Sequence, residues 1–210
     1  MRRLPVYILL DTSGSMRGEP IHAVNVGLQA MLSALRQDPS ALESVHLCVM
    51  TFDAQAKVVF PLTALENVQL PEIQVPDSGP TFLGAALELL IDSLDRDLRK
   101  TTADAKGDWR PLVFVMTDGS PTDIQVFEEA IPQLKKRDLG NVVACAAGPK
   151  AKQEYLLQLT DKVVTLDTMD STSFASFFKW VSASVAVGTS GAGTGATTLP
   201  PPPAEVQLVL

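Results

Sequence analysis

Leu4–Met16, LPVYILLDTSGSM, contains the decision about the fold. Seven residues, nearly all apolar, run up to Asp11, and Ser13 and Ser15 follow around one glycine. A strand with one wet face alternates apolar and polar positions. A continuous apolar run suits a central strand of a parallel sheet, covered on both faces. Such a strand, ending in a carboxylate and small hydroxyls, delivers polar atoms to the end of the sheet where open α/β sheets bind ligands.

Working outward, the pattern repeats. Glu19–Arg36 places Ile21, Val24, Leu28, Met31, Leu32 and Leu35 at helical spacing, with Pro20 in the first turn. Val45–Phe52 and Lys57–Leu62 read as strands separated by DAQA, a hairpin length that predicts an antiparallel edge strand. Thr63–Gly79 and Thr101–Arg110 read as polar loops. Leu83–Leu98, Asp123–Lys136, Lys152–Leu159 and Ser171–Val187 are the further predicted helices, and Leu112–Thr117, Val142–Ala147 and Val163–Leu166 the further strands. Alternating strands and helices predict an α/β fold: a doubly wound, mostly parallel six-stranded sheet with one antiparallel edge strand and helices on both faces.

The pattern ends near Val187. The remainder, GTSGAGTGATTLPPPPAEVQLVL, reads as a flexible Gly/Ser/Thr-rich linker, a stiff proline run and an apolar end. The expected organisation is therefore a domain over residues 1–187 and a flexible tail over 188–210. AEVQLVL would add as a strand or plug to a partner, or offer Glu205 to another copy's metal.

Composition narrows the function. The 210 residues carry a formal net charge of −7, which argues against a nucleic-acid groove. Lys135, Lys136 and Arg137 read as cations in the last turn of a helix. Cys48 and Cys145 lie in apolar runs and read as inert core thiols. The Arg2–Arg3 start is signal-like only briefly, and no stretch approaches the roughly 18 apolar residues of a membrane span. The expectation is a soluble cytoplasmic protein that binds no membrane.

Asp118 ends the strand LVFVMT as Asp11 ends the first strand, and SGPTFLGAAL sets Thr81 just before a helix. If the two strands are neighbours, Asp11, Ser13, Ser15, Thr81 and Asp118 converge. Hydroxyls and carboxylates without imidazole or thiolate select Mg²⁺, or Mn²⁺ or Ca²⁺. Gly14 would let the loop turn so that both serines point one way. An ion held largely by neutral hydroxyls stays under-neutralised and favours an anionic further ligand, such as a partner's carboxylate.

These residues resemble the metal-ion-dependent adhesion site of the von Willebrand factor A domain: DTSGS at Asp11–Ser15, Thr81 in GPTFLGAAL and Asp118 in MTDG. The resemblance spans about Leu4 to Val187. It implies a Rossmann-like sheet, Ser13, Ser15 and Thr81 as hydroxyl ligands, and Asp11 and Asp118 binding directly or through water. The short domain, SGPTFLGAALELL and MTDGSPTD are similar to the TerY-type tellurium-resistance proteins of bacteria. That likeness implies an adaptor in a stress-response system, with a protein kinase or PP2C-type phosphatase as partner. The cysteine-rich C-terminal region of some such proteins has no counterpart here. A second expectation is a subunit of an AAA+ ATPase complex of the chelatase type.

The residues predict a binder, not an enzyme. A haloacid-dehalogenase-type phosphatase needs a carboxylate two residues after Asp11, and Ser13 stands there. Neither a P-loop nor a nucleophile elbow is present. His22 in a helix and His46 in a strand read as ordinary residues, leaving no evident base. Asp53 reads as a turn residue, Thr122 as the cap of the helix from Asp123, and Met16, Arg17, Phe82 and Trp109 as candidates for the rim.

Overall fold

The computed structural model describes residues 2–77, 79–190 and 198–209. The apolar runs become β1 (Leu4–Asp11), β2 (Val45–Phe52), β3 (Ala56–Ala64), β4 (Leu112–Thr117), β5 (Val142–Ala147), β6 (Val163–Leu166) and β7 (Gln207–Leu208). They form one sheet in the order β3-β2-β1-β4-β5-β6-β7. β2, β1, β4, β5 and β6 are parallel, while β3 and β7 run antiparallel at the two edges.

The helices are α1 (Glu19–Gln37), α2 (Pro39–Ser44), α3 (Leu83–Asp97), α4 (Ile124–Lys135), α5 (Gln153–Leu159) and α6 (Ser171–Ser190). Leu4, Val6, Ile8 and Leu10 of β1 pack in one core with α1 and α6. Tyr7 and Leu9 point the other way, into a core built with α3, α4 and α5. Both faces of β1 are thus dry, which is why its sequence does not alternate. Burying one such side chain contributes about 1.5–3 kcal/mol.

Strand order reverses at β1, and this positions the site. Leu10 stands opposite Met116 in the β1–β4 register, so the next residues, Asp11 and Thr117, end their strands side by side. Gly84 lets the start of α3 press against α4: a methyl group there would lie 2.4 Å from the backbone nitrogen of Phe127.

The sheet has seven strands where the sequence predicted six. The tail expected to be flexible divides: residues 191–197 lie outside the described residues, and 198–209 return to the domain. The Trp180 indole N–H donates to the Pro200 carbonyl (2.9 Å), Val206 is buried, and the Val209 N–H donates to the Val163 carbonyl (2.8 Å). The apolar end pairs with this chain's own β6, whose outer edge would otherwise present open backbone groups. Glu205 lines a groove with Trp180 and Lys179. α6 extends to Ser190, past the expected end at Val187.

α2 was not foreseen. Its cap is Asp38, whose carboxylate accepts from the N–H groups of Ser40 and Ala41, with Pro39 in the first turn. Cys48 and Cys145 are both free and buried, and burial pushes the Cys48 thiol up to about 12. They lie three strand spacings apart and face opposite cores, beyond disulfide reach. Among the described residues no helix is long and apolar enough to cross a membrane.

Candidate metal centre

Asp11 is fully buried at the end of β1 and both of its oxygens are held. Oδ1 accepts the Ser13 N–H at 2.7 Å and Oδ2 accepts the Thr117 hydroxyl at 2.6 Å. Between them these bonds fix the carboxylate plane and the start of the loop. Gly14–Met16 then makes one 3-10 turn, which sets the Ser13 and Ser15 hydroxyls 3.3 Å apart. Met16 is fully buried and anchors the turn in the core, so it is not a rim residue.

The glycine expectation is corrected. Among the described residues positive φ occurs only at Gly18 (86°) and Gly148 (78°). Gly14 sits within the 3-10 turn, and the left-handed residue that redirects the chain into α1 is Gly18.

Asp118 is buried at the end of β4. Ser15 lies beside it and lowers its proton affinity, while its Oδ1 atom is buried without any hydrogen-bond partner. Thr81 is buried too, and a methyl group on Gly119 would lie 3.6 Å from its hydroxyl oxygen. Asp118 therefore has Asp11, Ser13, Ser15 and Thr81 around it, and the five residues singled out from the sequence come together. Ser15 is the exposed member.

Burial pushes the Asp11 carboxyl up to about 6, against the hydrogen bonds from Thr117 and Ser13 that hold it down; Asp118 pushes it further up. Burial also raises Asp118, opposed chiefly by the neighbouring Ser15 hydroxyl. Two desolvated carboxyls side by side resist ionising together. A cation in the space they share reverses that balance, and the orphaned Asp118 Oδ1 is a ready acceptor for it. The donor set, three neutral hydroxyls and two carboxylates, fits a hard divalent ion. Among the described residues no group of three or more His, Cys, Asp or Glu is placed to hold a metal ion, so the site is legible only if hydroxyls are counted.

A supporting network was invisible in the sequence. Asp53, expected as a turn residue, is buried. Its Oδ1 does accept within its turn, from the Gln55 N–H at 3.2 Å. Its Oδ2 also accepts the Thr12 hydroxyl (2.9 Å), and its carbonyl accepts the Phe82 N–H (2.9 Å). One residue thus joins the serine loop, the β2–β3 hairpin and the Thr81 segment. The Thr122 hydroxyl accepts the Thr81 N–H (3.0 Å) and makes no cap to α4. Asp123 accepts from Gly84 and Ala85 N–H groups (3.0 and 2.8 Å), capping α3 from another helix. Thr117 could have been found by setting β1 against β4 in register.

Of the other rim candidates, Phe82 is half-buried beside Thr81. Arg17 reaches away to the Pro76 carbonyl (3.0 Å) and Asp77 (3.5 Å). Trp109 lies at the opposite end of the sheet, its backbone N–H donating to the Arg3 carbonyl, and cannot rim this site. His46 pairs with Pro5 at that same far end, and His22 is exposed on α1.

A family model described as von Willebrand factor type A domain matches residues 6–179. Among solved structures, the chain is similar to proximal thread matrix protein 1 from the mussel byssus, with TM-score 0.63, 16% identity, and coverage of 87% of this chain and 48% of that one. A structure of that mussel protein with a zinc-occupied MIDAS motif aligns with TM-score 0.58 at 18% identity, covering 86% and 46%. A von Willebrand factor type A protein from Catenulispora acidiphila aligns with TM-score 0.60 at 17% identity, covering 89% and 43%. The chain spans less than half the length of each of these. No curated protein matches it in sequence.

Proposed function

The chain belongs to the von Willebrand factor type A domain family, and we propose that it is a divalent-metal-dependent protein-binding module. The observation that carries this reading is the buried, unpartnered Asp118 Oδ1 beside the paired serine hydroxyls. Ser13, Ser15 and Thr81 would hold the ion, with Asp11 and Asp118 contributing directly or through water. When bound, the ion supplies an electrophilic position for a carboxylate from a partner protein. The metal is Mg²⁺, or Mn²⁺ or Ca²⁺, on the hardness of the donors. The zinc-occupied mussel relative supports a divalent ion in this position.

The residues do three things for that function. Asp11 orients the serine loop through the Ser13 N–H. Thr117 lowers the proton affinity of Asp11 and so favours the charged form that attracts a cation. Asp53 and Thr122 lock the Thr81 segment against the serine loop. Among the described residues neither histidine makes a hydrogen bond to these groups, and His46 lies at the far end of the sheet; this supports binding over proton-transfer chemistry.

Within that reading the module is a cytoplasmic adaptor of a bacterial tellurite-resistance or stress-response system, with a kinase or PP2C-type phosphatase as partner. The support is the likeness of SGPTFLGAALELL and MTDGSPTD to TerY-type proteins. The competing partner is an AAA+ ATPase. Affinity purification from the native cell, in Mg²⁺ and in EDTA, tests both. The expected result is a partner retained in Mg²⁺ and lost with EDTA or Asp11→Ala. The identity of the partner decides between the two systems. A partner retained in EDTA and by the variant overturns metal dependence.

A further inference from the structure

The opposite end of the sheet carries a second cavity, of about 590 Å³. It lies between the last turn of α3, the segment 98–111 that leads into β4 and the α4–β5 connection. Leu98, Leu139 and the half-buried Trp109 give it an apolar lining. The volume falls within the range of ligand pockets.

The lining is fixed. The Arg3 guanidinium grips Asp108 through two bonds (2.8 and 2.6 Å), and Asp108 accepts the Arg99 N–H (2.9 Å) and returns its own N–H to the Arg99 carbonyl (2.9 Å). Arg2 sits 5.9 Å over the Trp109 ring. Two of the lining cations have acidic neighbours: Arg137 pairs with Asp95, and Arg110 with Asp138. Arg99 and Lys100 differ. Both are exposed at the cavity, and among the described residues neither takes part in an ion pair. A well-tied loop therefore holds two exposed cations, Lys100 within the electrostatic reach of Asp95, beside a hollow of mixed apolar and charged lining.

Charge is segregated to this edge. The stretches 2–3, 92–110, 135–138 and 161–162 hold eleven of the seventeen Lys and Arg and only seven of the twenty-four Asp and Glu. They are net +4 in a chain that is net −7, which leaves −11 on the rest.

We propose that this cavity binds an acidic peptide segment of a partner protein. One apolar side chain of the peptide seats between Leu98, Trp109 and Leu139, and flanking carboxylates pair with Arg99 and Lys100. A small anion fits less well, because it would leave the apolar lining of Leu98, Trp109 and Leu139 unfilled. Nucleic acid fits less well too, because Asp95 and Asp138 interrupt the positive surface that a phosphate backbone needs. The site is independent of the metal centre and at the far end of the strands. A module with both could bridge two acidic partners.

The test uses the full chain in EDTA, which silences the metal centre, and a labelled peptide EDLEDFDEL as probe. Binding should be saturable, should change the tryptophan fluorescence, and should weaken as NaCl is raised. Arg99→Glu/Lys100→Glu should weaken it by about tenfold or more. Both side chains are exposed, so this variant should keep close to the wild-type unfolding midpoint. Trp109→Phe should abolish the fluorescence change while leaving the peptide bound. The control peptide EDSEDSDES should bind more weakly than the probe. Equal binding by the charge-reversed variant, equal binding of the serine peptide, or no saturable binding would each overturn the proposal. So would displacement of the probe by inorganic phosphate or a single-stranded oligonucleotide at lower concentration than unlabelled peptide.

Discussion

Removing the charge of Asp11 should make the metal-free protein less sensitive to pH. Burial lifts this carboxyl from 3.8 to about 6 in the folded chain, while the unfolded chain keeps the ordinary value. Between those two values the folded state holds the proton and the unfolded state has released it. Stability therefore falls as pH rises through the window, and the contribution is complete only below about pH 4. A difference of about two units corresponds to about 3 kcal/mol. Asp11→Asn keeps an acceptor for the Ser13 N–H and removes the titration. Urea unfolding of both proteins in EDTA, at steps from pH 4 to 7.5, gives the difference curve. Wild type should lose about 3 kcal/mol relative to the variant across that range. At neutral pH the variant should equal or exceed wild type in stability. Divalent metal should stabilise wild type at neutral pH and leave the variant unchanged. Parallel pH curves for the two proteins would refute the reasoning, because they would mean that Asp11 ionises in the folded chain as easily as in water.

Three further outcomes follow from named contacts. Thr117→Val deletes the hydroxyl that donates to Asp11 at 2.6 Å, so the midpoint of metal binding against pH should move upward; calorimetric titration across pH 5–8 reads it. Thr12→Val removes the bond to buried Asp53 and should cost about 1–2 kcal/mol in urea unfolding, with weaker metal binding as the serine loop loosens. Deleting residues 198–210 removes Val206 from the core and the acceptor of the Trp180 N–H, a loss of about 3 kcal/mol. Calorimetry should show a Tm lower by roughly 6–12 °C, and an unchanged Tm would mean that this segment does not hold to β6 in solution.

The central strands and large helices were legible because each has a strong local signature. β1 and β4 are apolar throughout, since both faces are covered, and α1 and α3 keep a strict helical stripe. Asp11 and Asp118 were legible because a carboxylate at the end of such a strand breaks the pattern. α2 was missed because six residues are too few for a periodic signal, although Asp38 and Pro39 form a start signal. The strand tendency of AEVQLVL was legible but its acceptor was not: two paired residues carry no signal of which edge they join, and β7 adds to this chain's own β6 rather than to a partner. The network around Asp53 was missed for a different reason. Thr12, Asp53 and Phe82 are far apart in the chain, and a threonine in a loop looks alike whether it bonds to water or to a buried carboxylate. Trp109 was misplaced because the segment before β4 was read without its anchor, the Arg3–Asp108 pair, which holds it at the far edge.

The central claim is that Ser13, Ser15 and Thr81 with the two aspartates hold a divalent ion that prefers an acidic partner. Calorimetric titration of Mg²⁺ and Mn²⁺ into wild type and Ser13→Ala/Ser15→Ala, with and without acetate, tests it most directly. The account predicts binding that needs the serines and tightens when acetate is present. Metal binding that is equal in both proteins and indifferent to acetate, or no binding in any condition, would contradict it.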